Sequence, residues 1–327
     1  MKLAIVSATA IAAALAAVAA GPAAAMDGPS AKIKHAVARV VVIVEDRSDI
    51  GVEIEQGTSG LPAVQVSRRG DDVIINGGLR GGLFGNSGIR NCRSGPEGAR
   101  QPGEGSSVEV RNVGRVNLAD APLVVIRTPR DVEVNVESGA VFGAVGRGAS
   151  SIELGNGGCG DWTVANTNGE MSLSIMGSGD MRAGTSGRLE ANIMGSGNIG
   201  AGATGGLEAN IMGSGDINAA RVDGPLEANI MGSGDINAAR VDGSVEANIM
   251  GSGTITVGAG NVSTVEASIP GSGEINIPGT VTSLEASIMG SGDINVGGVT
   301  GAVSHSVMGS GHVRVAGQAL PRNRHGR

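Results

Sequence analysis

The sequence predicts an all-β chain: a single-stranded parallel β-helix, right-handed, with rungs of 18–20 residues. Three observations carry this expectation. The triplet Gly-Ser-Gly begins at Gly177, Gly195, Gly213, Gly232, Gly251, Gly271, Gly290 and Gly309, at intervals of 18 to 20 residues. Residues 207–224 recur unchanged at 226–243, so the unit is a module that tolerates duplication. Within each unit apolar and polar residues alternate, the period of a strand with one buried face.

One unit shows how each element follows. Leu207, Ala209 and Ile211 alternate with Glu208, Asn210 and Met212. Gly213-Ser214-Gly215 forms a corner, where glycine admits backbone angles closed to other residues. Ile217 and Ala219 then point inward, Val222 adds a third inward contact, and Asp223-Gly224 turns the chain. The expected unit therefore has three short strands and three corners. Such a unit cannot bury its apolar face alone, but stacked rungs can. Two core columns are visible: Ile175, Ile193, Ile211, Ile230, Ile249, Ile269, Ile288, Val307, and Met181, Ile199, Ile217, Ile236, Ile255, Ile275, Ile294, Val313. The leucine pattern of leucine-rich repeats is missing, and drift to 19 and 20 residues fits a left-handed hexapeptide coil poorly.

Upstream the pattern loosens. Residues 1–25 read as a secretory signal peptide: Lys2, an apolar alanine-rich run, and Ala23-Ala24-Ala25 before the cleavage point. Residues 26–136 read as an irregular N-terminal β region with a Gly-rich insertion at 77–107. Residues 137–315 read as the regular helix, with Glu137-Ser138-Gly139 and Gly155-Asn156-Gly157 as degenerate corners. Residues 316–327 form a polar basic tail that either folds over the last rung or leaves it open to end-to-end self-association. In an oxidising compartment Cys92 and Cys159 are expected to form a disulfide, in preference to two free thiols or a Cys–His pair.

Composition narrows function. Glycine supplies 58 of 327 residues, more than twice the usual share of about 7%. Aromatic residues are limited to Phe84, Phe142 and Trp162, and the formal net charge is −7. Nucleic-acid binding needs clustered Lys/Arg and stacking aromatics, so it is not expected. Aromatic sugar platforms are excluded for the same lack of rings. No cofactor is expected.

The repeated Ile-Met-Gly-Ser-Gly-Asp-Ile, the strand pair IGVEIEQGTSGLPAVQVSRRGDDVIING, and the Ile126–Gly139 segment (Ile-Arg-Thr-Pro-x-x-Val-Glu-Val-x-Val-x-Ser-Gly) together resemble the bacterial "putative auto-transporter adhesin, head GIN domain" family. The resemblance runs over roughly residues 37–315. It implies an exported β-helix-like protein of the bacterial envelope, with no catalytic residues to carry over. No aromatic-rich alternating strands follow the last rung, so self-transport through a membrane barrel is not expected.

The outward columns supply the candidate sites. After each Gly-Ser-Gly stand Asp180, Asn198, Asp216, Asp235, Thr254, Glu274, Asp293 and His312. Asp216, Asp235 and Asp293 are candidates for a calcium ion that would relieve carboxylate repulsion, set against a plain solvated edge. Glu190, Glu208, Glu227, Glu246, Glu266 and Glu285 form a second stripe, either cation-sensing or merely solubilising, with Arg221 and Arg240 as possible neutralisers. Met176, Met194, Met212, Met231, Met250, Met289 and Met308 follow the inward isoleucines. Alternation aims them outward; a bend at the glycine would tuck them in. If exposed, Met194, Met212, Met231, Met250 and Met289 are the best partner-binding candidates. His305 and His312 share the last rung and are a weaker metal pair. The expected function is an exported, non-enzymatic, adhesin-like or structural role, toward a protein or an envelope glycan. A polysaccharide-acting enzyme and a calcium-stabilised module are the alternatives. An enzyme would need a non-repeating polar cluster near Trp162 or the insertion.

Overall fold

The computed structural model describes residues 28–79, 88–96, 98 and 100–321. The expected signal peptide lies outside the described residues, as do part of the Gly-rich insertion and residues 322–327 of the tail. The chain is a parallel β-solenoid built on two long sheets. Sheet 1 has 13 strands and holds the Leu-Glu-Ala-Asn-Ile-Met segments; sheet 2 has 14. Setting aside the antiparallel end strands leaves twelve parallel levels in each. At about 4.8 Å per level the stack is about 53 Å long.

Register follows the repeats. Leu207–Gly213 pairs with Leu226–Gly232, Leu on Leu, Ile on Ile, Met on Met. Ile217 pairs with Ile236 on sheet 2. Both core columns are buried except Val307 at the open end, and one continuous apolar cluster runs from Ala31 to Val313.

The corners explain the glycines. Gly213 has φ +145°, and a Cβ there would meet the Gly195 carbonyl oxygen at 2.2 Å. A Cβ on Gly215 would meet the Gly197 carbonyl and Ile193 Cγ2. Corner stacks on corner through backbone bonds, with the Ser214 N–H donating to Gly195 O at 2.9 Å. Both glycines are therefore demanded by close stacking.

Two expectations need correction. Each rung has two strands, not three. The ten-residue step from Leu207 to Ile217 is constant across the ladder, whereas the return step from Ile217 to Leu226 varies from eight to ten residues elsewhere. All the drift falls in the third side, so its backbone keeps a ladder only in places. It survives as a continuation of sheet 2, as in Ile217–Val222, or as lone bridges such as Val222 to Val241. Second, Gly155-Asn156-Gly157 is not a corner. Ser151–Asn156 is a strand, Asn156 faces inward opposite Ile175, and the corner is Gly158-Cys159-Gly160. Cys159 thus occupies the serine position of a Gly-Ser-Gly corner. The irregular N-terminal rungs do not stack in chain order. Ala31–Lys34 lies between Asp72–Asn76 and Asp131–Val136, and Ala36–Val44 lies between Leu123–Thr128 and Gly139–Val145.

Both ends are dressed. Antiparallel strands Gly51–Glu55 and Gln65–Arg69 close the N-terminal end, their charges discouraging further pairing. At the other end Gln318–Ala319 folds back on sheet 2, and Leu320 packs against the core. Sheet 1 ends in the exposed strand Val303–Gly309.

A small antiparallel sheet, Ile89–Arg93, Ser107–Val110 and Gly114–Asn117, lies outside sheet 2. Its apolar side meets Val37, Ala140 and Phe142 in a second cluster, and the Cys92–Cys159 disulfide fastens it there. Trp162 is core: its indole fills the space over Gly143, where a Cβ would meet the ring at 2.3 Å. It is not part of a surface polar cluster.

Candidate binding surface

The outer side of sheet 1 carries three parallel columns, spaced two residues apart and complete on the four strands from Arg188 to Gly251. The glutamates come first. Then an amide ladder runs from rung to rung: Asn210 Nδ2 donates to Asn192 Oδ1 at 3.0 Å, Asn229 to Asn210 at 3.0 Å, and Asn248 to Asn229 at 3.1 Å. The same amides reach sideways to the glutamates, Asn192 Nδ2 donating to Glu190 Oε1 at 2.8 Å. The amides are thereby fixed and the carboxylates oriented.

Methionine is the third column, and the structure settles its direction. Met176, Met194, Met212, Met231, Met250, Met289 and Met308 are 48 to 59% exposed. Met194, Met212, Met231 and Met250 are successive in-register partners, as are Met289 and Met308. The bend at the following glycine carries the chain round the corner without turning the side chain in. These residues make up most of the large exposed apolar side chains among the described residues.

The acidic column after the corners has a structural task. Asp180 Oδ1 accepts the Asn198 N–H at 3.0 Å, Asp216 Oδ1 the Asp235 N–H at 3.1 Å, Asp235 Oδ1 the Thr254 N–H at 2.9 Å, and Asp293 Oδ1 the His312 N–H at 3.0 Å. Each side chain caps the backbone of the next rung, which accounts for Asx residues there without any ion. Among the described residues no group of three His, Cys, Asp or Glu could hold a metal. Nor are His305 and His312 brought together: His305 Nε2 lies 2.9 Å from Pro321 O, and His312 Nδ1 lies 3.3 Å from Asp293. Burial pushes the Asp293 carboxyl up, but hydrogen bonds from Arg314 and His312, with the Arg314 charge, hold it below its usual value.

The arginines pair differently from the expectation. Arg240 binds Asp242 at 2.6 Å and Arg221 binds Asp223, both across the third corner and away from the glutamate stripe. The Arg240 guanidinium and the Asn261 N–H hold Asp242 down to about 2. The arginine that reaches the stripe is Arg188, 3.2 Å from Glu208.

The stripe extends upstream to Glu153 and Glu133. Burial first, then the charge of Glu190, pushes the Glu153 carboxyl up; burial and Glu153 do the same for Glu133. An acid with a raised folded pKa favours folding when protonated, and that contribution is lost as pH rises through the folded pKa. Glu153→Gln is therefore expected to raise the melting temperature at pH 7, with the gain vanishing by about pH 3, where glutamate is largely neutral in either state. Melting curves at both pH values decide it; an equal gain at both would refute the electrostatic cause.

Sheet 2 offers a shallow groove instead of a stripe, floored by Gly200, Asn218, Asn237 and Thr256 and edged by Ala220 and Ala239. Its small side chains give it one charged group, Arg182, and one hydroxyl, Thr256, among the lining residues.

Among curated proteins, none matches the chain. A solved structure described as a putative adhesin from Bacteroides fragilis is similar at 15% identity and TM-score 0.40, covering 85% of this chain and 92% of that one. The family resemblance read from the motifs holds over a narrower stretch than the motifs span. Residues 218–319, with five of the eight Gly-Ser-Gly corners, match the model of the family described as "Putative auto-transporter adhesin, head GIN domain".

Proposed function

We propose that this chain is an exported, non-enzymatic, adhesin-like protein of the bacterial envelope. It grips a protein or glycan partner through the outer side of sheet 1. The observation that carries this reading is the row of half-exposed methionines beside a fixed amide ladder. Exposed apolar side chains in a continuous row are costly to solubility and mark contact surfaces. Thioether chains adapt to an irregular partner, and the ordered amides beside them add polar contacts at little entropic cost. The family match over residues 218–319 supports the adhesin-like role.

The test has two arms. Intact cells carrying a tagged copy are treated with protease, with a periplasmic protein as leakage control. Loss of the tag while the control survives is expected; protection until the outer membrane is opened would overturn surface adhesion. In the second arm Met212, Met231 and Met250 are changed to Ser together. Because these side chains are exposed, each change should shift stability by no more than about 0.5 kcal/mol. Cell-to-cell and cell-to-surface attachment should fall by at least half. Unchanged attachment by a surface-displayed variant would refute the methionine row as the contact.

A further inference from the structure

We infer that the methionine column also chelates a soft monovalent cation, Cu(I) or Ag(I), each ion being held between thioethers of neighbouring rungs. This inference rests on sulfur chemistry and rung spacing, not on the adhesin-like reading. Thioether sulfur is a soft donor that selects Cu(I) over hard ions. Among the described residues no cysteine is free, since Cys92 and Cys159 are joined. The other described methionines, Met171 and Met181, are buried. The exposed soft donors therefore stand in a single row.

The spacing fits. In-register neighbours such as Met212 and Met231 stand on parallel strands about 4.8 Å apart. Two opposed bonds of the length that sulfur makes to zinc, about 2.3 Å each, span about 4.6 Å. One ion can thus bridge adjacent side chains with no movement of the backbone. The glutamates of the same sheet start four residues away along the strand, about 13 Å, and the amides between them are engaged in their own ladder. The pair site is therefore all sulfur, which disfavours the hard ions calcium and magnesium.

The repeats carry their own variation, and it points the same way. The column after the corner changes freely among Asp, Asn, Thr, Glu and His. The exposed methionine position holds Met at seven of eight levels, and never Leu, Ile or Val. A merely apolar contact would accept those residues; a sulfur ligand would not. Pro270 interrupts the row. It leaves five successive methionines upstream, enough for two pairs, and one pair downstream.

The experiment titrates the mature chain with Ag(I) in chloride-free buffer, and with Cu(I) under ascorbate against a competing Cu(I) dye. Native mass spectrometry counts bound ions. About three ions per chain are expected. Changing Met194, Met212, Met231 and Met250 to Leu keeps the apolar bulk and removes the sulfur. This variant should keep its circular dichroism spectrum and fall to about one ion. Pro270→Met should restore an unbroken row and raise capacity to about four. No ion bound at micromolar free metal, or equal capacity in the Leu variant, would overturn the inference. The Leu variant should still attach to cells, so failure here and failure of the adhesin-like reading are separable.

Discussion

Replacing Gly213 by alanine is expected to lower stability by about 3 kcal/mol or more, as seen in the urea unfolding midpoint. The new Cβ would lie 2.2 Å from the Gly195 carbonyl oxygen, at a φ of +145°. The obstacle is backbone, not a side chain that could swing aside. That backbone is itself pinned, because the Ser214 N–H donates to Gly195 O and Gly195 repeats the same contact on Gly177. Relief would have to travel along the whole row of corners. Gly200→Ala is the control. It lies on a strand of sheet 2 with nothing within 4 Å of its would-be Cβ. Its change should be near zero, or slightly stabilising through the unfolded chain. Equal midpoints for the two variants would show that corner packing is looser than the stacking distances imply.

Changing both Cys92 and Cys159 to Ser is expected to cost about 4 kcal/mol in the chain-entropy view, for a separation of 67 residues. The damage should be local. The small antiparallel sheet of Ile89–Asn117 touches the solenoid through Phe142 and its neighbours. The ladder beyond Arg188 is held by rung-to-rung contacts alone, and such units feel only their neighbours. Limited proteolysis should cut the variant within residues 77–107 many times faster than the parent, leaving a resistant fragment that contains the repeats. Equal cleavage rates would mean that the apolar contact, not the bond, holds that sheet in place.

Much of this molecule was legible because its core is periodic. Identical residues recur where identical neighbours must lie above and below, so both isoleucine columns and their register could be read directly. Legibility failed where periodicity stops. The third side of the rung absorbs every insertion, so the inward Val222 looked like a separate strand although it only ends the strand of sheet 2. Gly155-Asn156-Gly157 mimicked a corner three residues early, because glycine content alone does not fix which glycine stacks. Pairing of Ala36–Val44 with Leu123–Thr128 leaves no repeat to find. At the surface, alternation aimed the methionines outward, but only the corner geometry could exclude an inward bend. The aspartates left two readings open for a different reason. A carboxylate that caps the next rung's N–H and one that waits for an ion have the same spacing in sequence.

The misplaced N-terminal rung also sets a clock. In the ladder every closure joins residues 18 to 20 apart, and each completed rung offers a template for the next. Ala36–Val44 instead meets Gly139–Val145, with 103 residues between paired positions. Loop entropy makes that closure dearer by about 1.5 kcal/mol than a ladder step. Among closures available at one time the local ones are therefore favoured, and Ala36–Val44 waits on a distant partner. Until residue 145 is in place, Ala36–Val44 has no partner on that flank. The N-terminal end of the rod is therefore complete only once residues up to 145 are present.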